Sequence, residues 1–112
     1  MKKPYIEKLL NENTLLRGFS SNIKKDQLVW HRDAESRLIV VVEGTGWQFQ
    51  RDNELPTLLS EGDRVSVSPG EYHRLIKGDT DLVVIIKEGI PKQYKADERK
   101  THFKELEKIN KI

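Results

Sequence analysis

The chain has 112 residues, 36% of them hydrophobic and 34% charged, with 20 Lys and Arg against 18 Asp and Glu and no cysteine. A chain of this size removes roughly two-thirds of its unfolded surface from water, enough for one domain with one modest core. The absence of cysteine excludes a disulfide scaffold, a Cys-ligated zinc or iron–sulfur site and a thiol nucleophile, so a metal must sit on His, Asp or Glu, and the histidines are His31, His73 and His102.

In chain order, residues 1–12 form an N-terminal helical or irregular segment. Met1-Lys2-Lys3 is followed by Pro4 and charged residues rather than an apolar leader, which predicts a cytoplasmic protein with no membrane partner. Ile6, Leu9 and Leu10 fall on one side of a short helix over residues 5–11. Residues 13–91 are punctuated as a β-protein: Gly44, Gly46, Gly62, Gly70, Gly78 and Gly89, with Pro56 and Pro69, separate short apolar runs. Strands are predicted at 15–20, 27–31, 37–43, 47–51, 57–59, 64–68, 73–76 and 81–87, the pattern of a sandwich or barrel.

Two runs, Leu38-Ile39-Val40-Val41-Val42 and Leu82-Val83-Val84-Ile85-Ile86, are apolar on both faces. They need cover on both sides, so they belong at the centre, backed by a second sheet, a terminal segment or another subunit, and a homodimer is one such arrangement. Trp47 and Phe49 alternate with Gln48 and Gln50, so one pair faces the barrel interior and the other faces out. Aromatics inside make a core. Glutamines inside offer amide groups to a polar ligand.

Residues 92–112 read as a charged helix in which Phe103, Leu106 and Ile109 make a narrow apolar stripe, suited to a lid or a dimer brace. This segment holds seven basic and four acidic side chains, against 13 and 14 in residues 1–91, so the net charge of +2 belongs to the tail. The two signs are interleaved as on a solvated helix, which argues against a nucleic-acid partner. His102 falls on that helix, where exposure is its expected state.

The stretch with chemistry is Trp30-His31-Arg32-Asp33-Ala34-Glu35-Ser36-Arg37. His31 and Asp33 are two apart, so in an extended chain both side chains leave one face and reach one metal ion. Farther on, Gly62-Asp63 and Pro69-Gly70 make turns, and His73 opens the strand after the second.

Here the sequence resembles the cupin superfamily of small β-barrels, over roughly residues 15–88. The family's first motif, G-x5-H-x-H-x3-E-x6-G, places His31 and Asp33 at its two His positions, Arg37 at its Glu and Gly44 at its closing Gly. Its second, approximately G-x5-P-x-G-x2-H, is matched by Gly62, Gly70 and His73. The resemblance implies an all-β, cupin-type double-stranded β-helix, a jelly-roll barrel, flanked here by the short N-terminal and longer C-terminal helical segments. It also implies a divalent metal on His31, Asp33 and His73, a two-His, one-carboxylate set that suits Fe(II) best, with Mn, Ni or Zn as alternatives. Arg37 cannot ligate a metal; it fits a clamp for a substrate anion or a partner of Asp33 or Glu35. Glu35, Gln48 and Gln50 are the other candidate contacts to a small-molecule ligand.

The function implied is a metal-binding small cupin acting on or binding a small polar metabolite, as in a non-haem Fe(II) oxygenase-type enzyme. The alternatives are a metal-free ligand-binding or sensory barrel and a structural dimeric barrel. Catalytic residues are not assigned, and the sequence does not decide whether the protein is an enzyme.

Overall fold

The computed structural model describes residues 3–89. The chain runs through β1 (Ile6–Asn11), β2 (Thr14–Phe19), a single 3-10 turn (Lys25–Gln27), β3 (Arg37–Glu43), β4 (Gln48–Arg51), β5 (Thr57–Leu58), β6 (Arg64–Val67), β7 (His73–Ile76) and β8 (Leu82–Glu88). The strands form a five-stranded sheet in the order β1-β2-β8-β3-β6 and a three-stranded sheet in the order β5-β4-β7. All pairings are antiparallel.

The two doubly apolar runs, β3 and β8, lie side by side in the interior of the large sheet, where strands with two apolar faces belong. Alternation sorts their side chains. Val41, Leu82, Val84 and Ile86 point between the sheets and join Phe19, Trp47, Phe49, Leu59 and Val67 in the main core. Leu38, Val40 and Ile85 point the other way and form a second buried cluster. Each such side chain, once removed from water, contributes about 1.5–3 kcal/mol. Trp47 and Phe49 are therefore the inward pair of β4, and Gln48 and Gln50 face out. Trp47 is fully buried, and its indole Nε1 donates to the Thr80 carbonyl at 2.6 Å, so the one polar atom of that ring is satisfied.

Two predicted elements differ. The segment expected as an N-terminal helix is the edge strand β1, in register with β2 from Ile6↔Gly18 to Asn11↔Thr14. The spacing of Ile6, Leu9 and Leu10 was no guide because there is no apolar face to bury: Ile6 and Leu9 are 81% and 63% exposed. What holds the segment extended is the tight return at residues 11–14 and a cross-strand ion pair, Arg17 Nε donating to Glu7 at 2.8 Å. The predicted strand at 27–31 is instead the end of the 3-10 turn followed by irregular backbone, of which His31 alone enters a bridge, with His73. The predicted C-terminal helix over 92–112 and His102 lie outside the described residues. Among the described residues no helix is long and apolar enough to cross a membrane.

Candidate metal centre

The site begins with the backbone. His31 N donates to His73 O at 3.0 Å and His73 N donates to His31 O at 2.9 Å, so the irregular 28–36 segment is fastened to the first residue of β7. The Ser68–Glu71 turn sets the other side. Pro69 precedes Gly70 at φ 75°, Glu71 N donates to Ser68 O, and the chain makes a type II turn whose third position favours glycine. Gly70 N then donates to Asp33 O at 2.8 Å, so the turn that aims His73 also holds the backbone of Asp33.

His31, Asp33 and His73 converge: one ligand atom from each can be chosen so that all three lie within 4.8 Å of one another. The imidazole rings are 4.3 Å apart between centroids, and His73 also stacks on Phe49. His73 Nδ1 lies 2.8 Å from Glu71 O and His31 Nδ1 lies 3.1 Å from Val29 O. A carbonyl oxygen only accepts, so each Nδ1 carries a proton, and a ring in its neutral form has its lone pair on Nε2. That is the tautomer a metal-ligating histidine takes when its other nitrogen is held by an outer carbonyl.

Asp33 supplies the third donor. Its Oδ2 is buried, 3.3 Å from His73 Nε2, and has no hydrogen-bond partner among the described residues. Its Oδ1 faces Arg37 Nη1 at 3.5 Å, and Arg37 Nη2 in turn donates to Glu88 at 3.1 Å. Burial keeps the pKa of His73 below the ordinary histidine value, against the raising effect of its hydrogen bond to Glu71; the neighbouring His31 and Arg37 also lower it, and Asp33 raises it. Two imidazoles with Nδ1 engaged by carbonyls and an orphaned carboxylate oxygen are a donor set that a divalent cation fits.

Two cavities adjoin the trio. A small one of about 50 Å³ inside the barrel is lined by Arg17, His31, Arg37, Phe49, His73 and Leu75 among others. An outer one of about 500 Å³ opens beside it, with Tyr5, Arg17, Leu28, His31, Asp33 and Arg37 in its wall. Arg17 was not among the predicted site residues. Its guanidinium is held by Glu7 and stacks on Tyr5, with the carbon 3.8 Å from the ring centroid. The signal was present in β2, where Leu15, Arg17 and Phe19 share one parity and so one inward face.

The other predicted contacts lie elsewhere. Gln50 is engaged outside the barrel, accepting from Arg74 Nε at 2.8 Å and donating to Glu54 O at 2.8 Å. Gln48 shares its outward face, and Glu35 is exposed near Gly89. None of the three lines either cavity.

No family model and no curated protein matches the chain. Solved structures do. An RmlC-like cupin from Shewanella frigidimarina NCIMB 400 is similar at TM-score 0.63 and 16% identity, over 83% of this chain and 82% of that one. The DMSP lyases RdDddP and RnDddQII are represented at TM-score 0.60 and 14% identity, over 71% of this chain and 39% of that one. Fe(II) HppE is similar at TM-score 0.53 and 16% identity, over 67% of this chain and 41% of that one. The chain thus spans less than half the length of the lyase and HppE structures.

The molecule is a small double-sheet β-barrel with a histidine–carboxylate cluster beside its cavity. Its fold is the cupin fold.

Proposed function

We propose that the protein is a metal-binding cupin in which His31, Asp33 and His73 hold one divalent ion, Fe(II) in preference to Mn, Ni or Zn, next to a cavity that takes a small, polar, anionic metabolite. The observation that carries this reading is the pairing of both Nδ1–H groups with backbone carbonyls beside a buried Asp33 Oδ2 that lacks a partner. When bound at such a set, a metal supplies open coordination positions for dioxygen activation or Lewis-acid chemistry.

The chain's own residues divide the remaining work. His73, packed on Phe49, is the rigid donor. Arg37 positions Asp33 through Oδ1 and is itself held by Glu88. Arg17, pre-organised by Glu7 and Tyr5 and lining both cavities, is the cation assigned to the anionic end of the ligand. Tyr5, Phe19, Leu28 and Leu75 give the ligand an apolar wall and keep water from its body.

The test has two parts. Protein prepared without an affinity tag is expected to take up one equivalent of Fe(II) or Mn(II) anaerobically, and His73→Ala to take up none. Binding of a panel of small carboxylates, followed by calorimetry, is expected to be lost in Arg17→Gln while metal uptake stays intact. A metal-free binding barrel is the competing reading, and the Arg37–Asp33 pair favours it, since that pair balances the carboxylate with no ion present. Wild-type protein that remains metal-free after reconstitution decides for it.

A further inference from the structure

The exposed large hydrophobic side chains are not scattered. Apart from Ile6 and Leu9 on β1, those of the described residues are Val29, Trp30, Leu55, Leu58 and Tyr72, all on or beside the three-stranded sheet. Alternation turns Trp47, Phe49, His73 and Leu75 to the interior, so Gln48, Gln50, Tyr72, Arg74 and Ile76 look outward. The His31↔His73 bridge adds Trp30 and Arg32 as a further column beyond β7, on the side away from β4. The columns are tied together. The Arg74 guanidinium carbon lies 4.8 Å from the Trp30 ring centroid, that of Arg32 5.2 Å from the Tyr72 centroid, and Arg74 Nε donates to Gln50 Oε1 at 2.8 Å.

These groups are ordered by one another and still open to water: Trp30 is 41% exposed, Tyr72 42% and Leu58 58%. Trp, Tyr and Arg are the side chains enriched at the centres of protein interfaces, and holding them in place beforehand lowers the entropy lost on docking. We propose that this face is where two copies of the chain dock, about a two-fold axis running along β7.

Charge favours a second copy over an unrelated protein. Asp52 and Glu54 lie in the turn that leads from β4 toward β5, at one margin of the face, and Arg32 lies at the other, past β7. Rotation about an axis along β7 lays each margin of one copy on the opposite margin of the next, so acid meets guanidinium at two symmetric places. Tyr72, whose backbone carbonyl accepts from Asp52 N, falls near the axis, where the two rings can stack. The contact also bears on the barrel interior, though it does not require a metal there. Trp30 and Arg32 flank His31, and Tyr72 and Arg74 flank His73, so docking would brace the bridge from outside.

The test uses the full chain, whose lack of cysteine makes disulfide trapping specific. Arg32→Cys and Asp52→Cys are prepared separately, mixed at micromolar concentration and oxidised mildly; the two-fold arrangement keeps one intact Asp52–Arg32 contact in such a mixed pair. The mixed disulfide is expected to form at least about ten-fold faster than in a mixture of Lys8→Cys with Asp52→Cys, because Lys8 lies on the edge strand of the other sheet. In sedimentation velocity the unaltered chain is expected to run as a dimer at micromolar concentration. Tyr72→Glu, which sets like charges together at the axis, is expected to return it to monomer with circular dichroism unchanged. A monomeric mass for the unaltered chain leaves the face to a different protein and overturns the proposal. A dimer that Tyr72→Glu leaves intact overturns it too, as does trapping no faster than in the Lys8→Cys control.

Discussion

His31 and His73 exchange two backbone hydrogen bonds with each other, and each sends its ring Nδ1 to the carbonyl two residues behind it. The two rings are therefore oriented by main chain on both sides of one bridge, at residues 42 positions apart, the difference of 73 and 31. Nothing in that arrangement depends on a flexible side chain. With both Nδ1 atoms engaged, Nε2 is the ring nitrogen left on each histidine, and one ligand atom from each of His31, Asp33 and His73 lies within 4.8 Å of the others.

Replacing either His73 or Asp33 by Ala is expected to weaken binding of Mn(II) or Fe(II) by at least about 100-fold, beyond the loss typical of removing an outer-shell partner. Anaerobic titration calorimetry measures it, with circular dichroism confirming the barrel. Retention of wild-type affinity in both variants would place the ion elsewhere.

Arg37 and a metal share Asp33 as a counter-charge, which gives a second expectation. Arg37→Ala should destabilise the metal-free protein by about 1–3 kcal/mol, because it strands two largely buried carboxylates, Asp33 and Glu88. Added metal should then raise Tm more in the variant than in the wild type, since the ion replaces the lost charge at Asp33. Equal shifts in the two proteins would show that Arg37 and the ion do not share that carboxylate.

How much of this was legible in the sequence depends on which force decided each element. β3 and β8 were legible because Leu38–Val42 and Leu82–Ile86 are apolar at every position, and only a buried central strand satisfies that pattern. That His31, Asp33 and His73 come together was legible from the Pro69–Gly70 turn before His73, but not from strand parity, since the segment holding His31 and Asp33 is irregular backbone fastened by the His31–His73 bridge. β1 was not, since pairing at an edge, rather than burial of Ile6 and Leu9, extends it. The 27–31 run was not a strand either: a 3-10 turn over Lys25–Gln27 brings Leu28 inward, and main-chain bonding to β7 is limited to His31. Alternation in β4 separated Gln48 and Gln50 from Trp47 and Phe49 without saying which pair faces in; the bulk of the aromatics favoured them for the core, and they take it.

Gly78 and Gly62 separate crowding from backbone conformation. A Cβ on Gly78 would stand 2.4 Å from Trp47 N and 2.5 Å from Thr45 O, backbone atoms that move only with their turn. Gly78→Ala is expected to cost about 2–3 kcal/mol, at the upper end for overpacking. Gly62 has open space around it and φ 89°, so Gly62→Ala pays only the left-handed penalty of about 1–2 kcal/mol. Urea denaturation of both variants checks the order. A Gly62→Ala loss exceeding that of Gly78→Ala would contradict it.

Acid should loosen the metal-free barrel. The folded-state pKa of His73 lies below the ordinary value of about 6.5 because burial disfavours its charged form. The unfolded chain therefore binds the proton more readily, and the stability His73 contributes is full above about 6.5 and declines as pH falls from there toward the folded pKa. Denaturant midpoints measured across that window in wild type and His73→Gln should converge at the acid end. Parallel curves would assign the acid sensitivity to other groups.

The two histidines differ in exposure: His73 is buried against Phe49, whereas His31 faces solvent at the outer cavity. An ion held between them would have one fixed anchor and one doorway. Its residence time would then be governed by how often the His31 side opens, so that a chelator strips the ion quickly even where equilibrium affinity is high.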